Sequence, residues 1–259
     1  MMSLKLKTTL AATMICTALC GTTLSAFAAD TGVTSDTTMT VIGEFNPGAC
    51  TPTMSGGGVI DYGKKPNLAL NPTGKTNTLV QLGRKTTTLM VTCTAPTLIG
   101  LTSFDNRLDS RLPLSSTAYI EKAFGKQMNQ TATGNGFGLG MAPNGQKIGS
   151  YVIGIDTMAG AVTATDNNGD LAVDVIQTGD FKASPMTWMI SDTGSIVSTN
   201  GGKDRAYSVG KPGDLAPVAV TSVQFPLLID GAVQDNVALG TSDTIKLDGN
   251  VTLQVLYLL

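Results

Sequence analysis

Histidine is absent from this sequence of 259 residues. Its absence excludes Ser-His-Asp and Cys-His catalytic arrangements, and it removes the ligand that most zinc sites use. Any catalysis would therefore have to use carboxylates, lysines or a bound ion. The sequence predicts neither a cofactor nor a metal site.

Charge is also scarce, since Asp, Glu, Lys and Arg make up only 14% of the residues. No run of basic residues could hold the phosphates of a nucleic acid or the anionic headgroups of a membrane. Without the predicted leader described next, 15 basic residues face 19 acidic ones, a net charge of −4. We therefore expect no nucleic acid partner and a mildly acidic, solvated surface.

The first 28 residues have the pattern of a secretory signal peptide. Lys5 and Lys7 form a positive start, residues 10–19 form an apolar run, and residues 26–28 supply small side chains before a cleavage site at Ala29. An N-terminal membrane anchor is the alternative, but threonines and a glycine interrupt the apolar run. We therefore expect export to the periplasm or the cell surface, with no transmembrane segment after the leader is removed.

Only four cysteines occur, and two of them, Cys16 and Cys20, would leave with the leader. Cys50 and Cys93 remain as an even pair in a compartment that permits oxidation, so we expect one disulfide. The loop that it closes is worth roughly 4 kcal/mol by the chain-entropy estimate. A metal or redox pair would need CxxC spacing or histidine, and the chain has neither.

Short alternating runs bounded by Gly, Asn, Asp and Pro recur along the chain, whereas helical periodicity is rare. The sequence therefore predicts an all-β protein, either a sandwich or a barrel. The strands are predicted at residues 38–45, 86–94, 98–104, 137–141, 148–155, 171–176, 186–191, 195–199 and 218–229. One helix is predicted at residues 116–128, and hairpin turns are predicted at residues 166–170 and 230–231.

The end of the chain has the clearest strand pattern. Large apolar residues at odd positions alternate there with mostly polar ones, so that one face is suited to a core. These apolar residues are Ile245, Leu247, Val251, Leu253, Val255, Tyr257 and Leu259. The pattern predicts either an ordinary half-buried strand or an exposed edge with which an extracytoplasmic chaperone pairs.

Two motifs suggest chemistry that the local context does not favour. Asp192-Thr193-Gly194 resembles the active-site loop of aspartic proteases, in which two such loops share a proton. The second copy, residues 30–32, has no preceding strand, so a turn is favoured and a carboxylate-based hydrolase that uses Asp192 is a minor alternative. Residues 166–170 resemble part of a calcium loop but lack its Glu, and a turn is again favoured.

Other residues carry a family resemblance. A leader, a strand that ends at Cys50, a second cysteine at Cys93, and an alternating terminal strand with Tyr257 near its end resemble fimbrial subunits of the chaperone-usher type. The chain is more closely similar to an enterobacterial, fimbria-like family catalogued as domain of unknown function family 1120. The stretches that carry this likeness are residues 86–94, 104–107, 137–140 and 146–151.

The resemblance implies an immunoglobulin-like sandwich of antiparallel strands that is incomplete until another protein donates a strand. Residues 29–259 would then form a single fimbria-like domain, with room for an insertion within residues 104–200. The implied partners are a periplasmic pilus chaperone and other fimbrial subunits. They would contact the terminal strand through Val251, Leu253, Val255, Tyr257 and Leu259. We therefore expect a non-enzymatic structural or adhesive subunit, and the alternative is a secreted or periplasmic β binding domain that does not polymerise.

Overall fold

The computed structural model describes residues 39–42, 48–71, 76–240 and 242–258. The chain divides into two units, and the one that extends from Phe45 to Leu259 contains all the secondary structure described below. Residues 39–42, the described part of the other unit, form no helix or strand. The predicted leader, the motif at residues 30–32 and Leu259 lie outside the described residues.

Fifteen strands form within the described residues. The first eight are β1 (Cys50–Met54), β2 (Val80–Thr97), β3 (Ile99–Asp105), β4 (Ile120–Ala123), β5 (Met128–Gln130), β6 (Phe137–Gly138), β7 (Gly149–Ile155) and β8 (Thr163–Asp166). The others are β9 (Gly169–Leu171), β10 (Asp174–Thr178), β11 (Trp188–Ile190), β12 (Ser195–Ile196), β13 (Ala206–Gly210), β14 (Val220–Val233) and β15 (Val251–Tyr257).

Helical structure is limited to single turns in the described chain. The 3-10 segments are Ser55–Gly58, Asn67–Leu70, Leu108–Ser110, Thr133–Asn135 and Thr199–Gly201, and one α-helical turn, α1, spans Asn236–Leu239. None of the helices formed by the described residues has the length and apolarity needed to cross a membrane.

The strands form two main antiparallel sheets, which confirms the predicted all-β sandwich. The large sheet has the order β1-β2-β14-β7-β12, with β6 added beside β7 and the β8–β9 hairpin beside β14. The smaller sheet has the order β11-β10-β13-β3-β15. β4 and β5 form a separate hairpin. The predicted insertion within residues 104–200 stays a prediction.

The main core lies between the two sheets, because alternate residues of their long strands are apolar and point inward. Leu89 and Val91 of β2 and Phe225 of β14 are almost fully buried, and they share this core with Leu101 and Tyr207 of the smaller sheet. The Tyr207 hydroxyl donates a hydrogen bond to the carbonyl of Ser195, and burial raises the pKa of this tyrosine to about 12.

The predicted helix at residues 116–128 is wrong, because this segment forms the β4–β5 hairpin. Lys122, Phe124 and Gln127 adopt positive φ angles of 53°, 62° and 51°, which a right-handed helix cannot contain. The apolar residues that suggested a helical face instead pack in a second core cluster. There Ile120 and Phe124 are buried among residues that include Val152 and Ala232.

Further local predictions have different outcomes. The hairpin turn within residues 166–170 is confirmed, since Asp166 pairs with Gly169 and Asn168 donates its N–H to the Asp166 carboxylate. The turn at residues 230–231 is wrong, because both residues lie inside β14, where Asp230 is buried. The strand predicted at residues 38–45 is not present in its described residues 39–42, and residues 38 and 43–45 lie outside the description. The expectation that a strand ends at Cys50 is wrong, because β1 begins there.

Candidate functional site

The terminal strand β15 lies at an edge of the smaller sheet. It pairs antiparallel with β3 from Val251 opposite Asp105 to Tyr257 opposite Ile99. Among the described strands it pairs with no other strand. The strand that the sequence singled out is therefore an edge strand, although it begins at Val251 and leaves Ile245 and Leu247 in irregular chain.

Alternate residues of β15 direct their backbone N–H and C=O groups toward this free edge. Asn250 accepts a hydrogen bond from Asn106 N–H, and Leu258 N–H donates to the carbonyl of Leu98, each at 3.0 Å. Because antiparallel pairs alternate, the even-numbered residues of β15 bond to β3 and the odd-numbered ones point their N–H and C=O groups away from it. The odd positions thus carry both the free backbone groups and the inward side chains.

An apolar groove opens beside this edge. Val251 and Leu253 line it from β15, and Met54 lines it from the end of β1. Its floor consists of Ile153 from β7, Leu227 and Ile229 from β14, and Leu139. Its cavity volume is about 240 Å³. The large sheet thus supplies most of the floor, and the groove lies between the edge strands β1 and β15.

The chain reaches β15 through a close contact with a buried aromatic pair. Phe137 and Tyr151 stack with their ring centroids 5.5 Å apart, and burial raises the pKa of Tyr151. A Cβ atom at Gly249 would lie 2.8 Å from Cε1 of Tyr151, so only glycine lets the backbone pass this ring without displacing it. Gly249 therefore fixes where β15 starts relative to the groove.

An exposed ion pair stabilises the same segment, which leads into β15. Arg107 Nε lies 2.8 Å from Oδ2 of Asp248, and its guanidinium holds the pKa of that carboxyl below its usual range. Asp105, at the end of β3, has its pKa raised by burial, while hydrogen bonds from the N–H groups of Arg107 and Gly138 act in the opposite direction. These contacts anchor the first residues of β15.

The far end of β15 is fixed by Tyr257, next to the disulfide. Cys50 and Cys93 are joined as predicted, and they lie opposite each other on β1 and β2. Cys50 N–H donates to the Tyr257 hydroxyl oxygen at 2.9 Å, although the Tyr257 side chain is about half exposed. This hydrogen bond links β15 to β1 directly, so Tyr257 connects the smaller sheet to the large one.

Asp192 and the predicted turn at residues 166–170 show simple structural roles. Asp192 forms an ion pair with Lys126, and its side chain is 73% exposed. The Asp166 carboxylate accepts a hydrogen bond from the Asn168 side-chain amide within its own turn. Among the described residues, no cluster of three or more His, Cys, Asp or Glu side chains could hold a metal ion.

A second cavity, of about 340 Å³, lies under the β4–β5 hairpin. Its walls include Arg84 and the buried Asp230, which form an ion pair with Nε and Oδ1 2.9 Å apart, the Arg84 side chain being partly exposed. Arg84 Nη2 also donates to the carbonyls of Lys122 and Phe124, each at 2.6 Å. The charges of Arg84 and Asp230 are thus engaged in holding the hairpin.

The floor residues lie in or beside predicted strands but were not predicted as site residues, and no predicted element contains the groove residues Ile60 and Tyr62. Both line it and are half-buried, whereas their neighbours Val59, Asp61 and Gly63 are exposed. This alternation over five residues is a strand-like signal, but it is short and follows three glycines. For that reason the pattern was indistinguishable from a loop.

Comparison with known proteins gives a family and two relatives. The model of the family described as "Protein of unknown function (DUF1120)" matches residues 39–152. Protein GltF of Escherichia coli (strain K12) is 54% identical over 254 residues, which cover 97% of this chain and 99% of GltF. The uncharacterized protein YhcF of the same strain is 29% identical over 223 residues, or 81% of this chain and 85% of YhcF. No solved structure matches.

Proposed function

This chain belongs to the DUF1120 family, and we propose that it is an exported, fimbria-like structural or adhesive subunit whose groove receives a strand from another protein. The observation that carries the proposal is the free edge of β15 beside an apolar groove. Addition of a strand to an exposed sheet edge is an established mode of peptide recognition. The occupant is an extended segment with alternating apolar side chains.

Recognition of an added strand needs free backbone hydrogen-bonding groups and apolar contacts for alternate side chains, and the groove offers both. The odd-numbered residues of β15 offer free N–H and C=O groups, which supply affinity without regard to sequence. The floor, formed by Ile153, Leu227, Ile229 and Leu139, supplies apolar contacts for alternate side chains of the guest. The groove therefore selects a strand whose inward residues are apolar.

The resemblance to chaperone-usher subunits suggests who supplies this strand. A periplasmic pilus chaperone would occupy the groove first, and another fimbrial subunit would replace it. The disulfide between Cys50 and Cys93 agrees with a location outside the cytoplasm. The role is non-enzymatic in this proposal, which is supported by the exposed ion pair that Asp192 forms with Lys126.

The test is capture of a pilus-type chaperone from periplasmic extract by the tagged protein. Leu253→Asp places a charge in the groove and should abolish capture, because an unpaired charge in an apolar site is strongly unfavourable. Gln254→Asp is the matched control, since Gln254 is exposed on the outer face of the same strand. It should leave capture unchanged.

A second variant separates lost binding from lost folding. Val255→Pro removes an N–H that points to the free edge, so it spares the hydrogen bonds between β15 and β3. It should weaken capture while the circular dichroism spectrum stays that of the wild type. A folded wild-type protein that recovers no chaperone, or Leu253→Asp that recovers it normally, contradicts the proposal.

A further inference from the structure

Residues 59–63 lie against the groove as an extended segment, which we call the plug. Its side chains alternate, with Ile60 and Tyr62 half-buried and Val59 75% exposed. Ile60 packs against the main core. The Tyr62 hydroxyl donates to the carbonyl of Ile229 on the groove floor at 3.3 Å, and burial raises its pKa. The plug thus inserts alternate side chains where a guest strand would insert its own.

The backbone attachments of the plug are few. Within the part of the chain that the structure describes, it pairs with no strand. Val59 N–H donates to the carbonyl of Gly56 at 3.4 Å, and Gly63 N–H donates to the Asp61 carboxylate at 2.7 Å, so both bonds are local. Two side chains, and no ladder of backbone hydrogen bonds, hold the segment in place.

Glycines stand on both sides of the plug. Gly56, Gly57 and Gly58 precede it with φ between 61° and 75°, and Gly63 ends it with φ of 71°. A Cβ atom at Gly56, Gly57 or Gly63 would meet no atom within 4 Å, so the backbone there is surrounded by open space. Apart from Gly58, these glycines are thus not packed against other atoms on the side where a Cβ would point, and glycine at both ends gives the plug backbone conformational freedom.

The space left in the groove is small for a guest strand. A strand of seven residues directs three or four side chains to one face. A cavity of about 150 Å³ holds roughly one benzene ring, so the 240 Å³ beside the plug holds only one or two large side chains. A full guest strand needs the space that Ile60 and Tyr62 fill.

We propose that the plug is a displaceable internal occupant of the groove, and that a partner strand seats fully only when Ile60 and Tyr62 leave it. This inference rests on the proposed function, because it takes the groove to be the partner site. The apparent dissociation constant is then the intrinsic one divided by the fraction of molecules with the plug released. The plug would thereby reject strands that bind weakly.

The first test measures affinity for a defined probe. A fluorescent synthetic peptide of residues 38–45 is suitable, because its apolar residues Met39, Val41 and Phe45 alternate with other residues. Ile60→Ser and Tyr62→Ser should bind it about tenfold more tightly than the wild type. Val59→Ser, which changes an outward residue of the same segment, should bind it as the wild type does. Circular dichroism of each variant verifies the fold.

The second test needs no variant. Trypsin can cut after Lys64, directly beyond the plug, whereas the bond after Lys65 precedes Pro66 and resists cleavage. Saturating peptide should accelerate cleavage after Lys64 several-fold, as mass spectrometry of the fragments would show. A slower or unchanged rate in the complex overturns the inference.

The outcomes also separate this inference from the proposed function. If the wild type and the plug variants bind the peptide equally well, the groove remains a partner site, but the proposed role of the plug is wrong. Variants that bind it more weakly would show that Ile60 and Tyr62 are part of the binding wall. If no form binds either the peptide or a chaperone, both proposals are wrong.

Discussion

Asp230 shows how a single buried residue can organise a distant hairpin. Its carboxylate accepts hydrogen bonds from Arg84 Nε and Nη2 at 2.9 and 3.0 Å and from Phe124 N–H at 3.1 Å. Arg84 in turn binds two carbonyls of the β4–β5 connection. The left-handed residues of that connection are thus held by one ion pair.

Removal of this carboxylate should be strongly destabilising. Asp230→Ala leaves the buried Phe124 N–H and the partly exposed Arg84 guanidinium without their partner, and we expect the free energy of unfolding to fall by about 1.5–3 kcal/mol. Asp192→Ala, which removes an exposed ion pair, should change it by less than about 1 kcal/mol. Urea denaturation of both variants measures the difference. Equal losses would show that Asp230 has no special role.

Asp248 and Asp105 should respond to acid in opposite directions. The lowered pKa of Asp248 means that its contribution to stability is present above the pKa of the unfolded chain and is lost as pH falls through the folded value. The raised pKa of Asp105 means that its contribution is present at low pH and is lost as pH rises through the folded value.

Asp248→Asn isolates the first of these effects. It should be less stable than the wild type at pH 7, and the difference should vanish as pH approaches about 2, because both proteins are then uncharged at this position. Urea denaturation across this pH range makes the comparison. A difference that persists at the lowest pH would mean that Asp248 contributes by packing and not by its charge.

Residue-scale predictions from the sequence succeeded where few alternatives existed. Cys50 and Cys93 had no rivals once the leader was set aside, so their pairing followed from counting. Asp230 beside Gly231 has the composition of a turn, but Arg84 lies 146 residues away in the chain. No local pattern contains that partner, so the turn prediction was wrong.

At the scale of elements, the disulfide joins the edge strand β1 to the long strand β2. Its loss through Cys93→Ser should lower the free energy of unfolding by about 2–5 kcal/mol, the usual range for a secreted domain. Tyr257→Phe, which deletes only the hydroxyl that bonds Cys50, should cost about 1 kcal/mol. Thermal or urea unfolding of both proteins tests this order. Two free thiols in the oxidised wild type would refute the disulfide itself.

Truncation after Gly249 tests the contribution of β15. It removes the half-buried Val251, Leu253 and Val255, and complete burial of such a side chain is worth roughly 1.5–3 kcal/mol. If each of these half-buried side chains contributes half that amount, their removal, together with the lost pairing to β3, removes much of the stability of a typical domain, which is about 5–15 kcal/mol. We expect an unfolded or poorly exported product. A native circular dichroism spectrum at normal yield would contradict the packing described above.

Period-two patterns identified most strands, including β15, because burial of one face is recorded directly in the sequence. The β4–β5 hairpin was mistaken for a helix because its apolar residues also fit a helical spacing. Positive φ at Lys122, Phe124 and Gln127 is unusual for such side chains, and hydrogen bonds from Arg84 to the carbonyls of Lys122 and Phe124 hold two of them. A local pattern cannot reveal a conformation that a distant residue enforces.

At the scale of the whole molecule, the groove is assembled from segments far apart in sequence. Met54, Ile153, Leu227 and Leu253 come from four different strands in two sheets. The sequence predicted the alternating terminal strand, and the family resemblance implied an opening beside it. The order of the strands, and therefore the floor of the groove, depends on long-range pairing that periodicity does not specify.

We claim that the free edge of β15 receives a strand, and amide hydrogen exchange measured by NMR can test this. In the free protein, the N–H groups of residues 251, 253, 255 and 257 should exchange quickly, while those of residues 252, 254 and 256 should be protected by β3. Saturating peptide of residues 38–45, or the captured chaperone, should protect the odd-numbered amides selectively. Odd-numbered amides that stay in fast exchange in both complexes would contradict the claim.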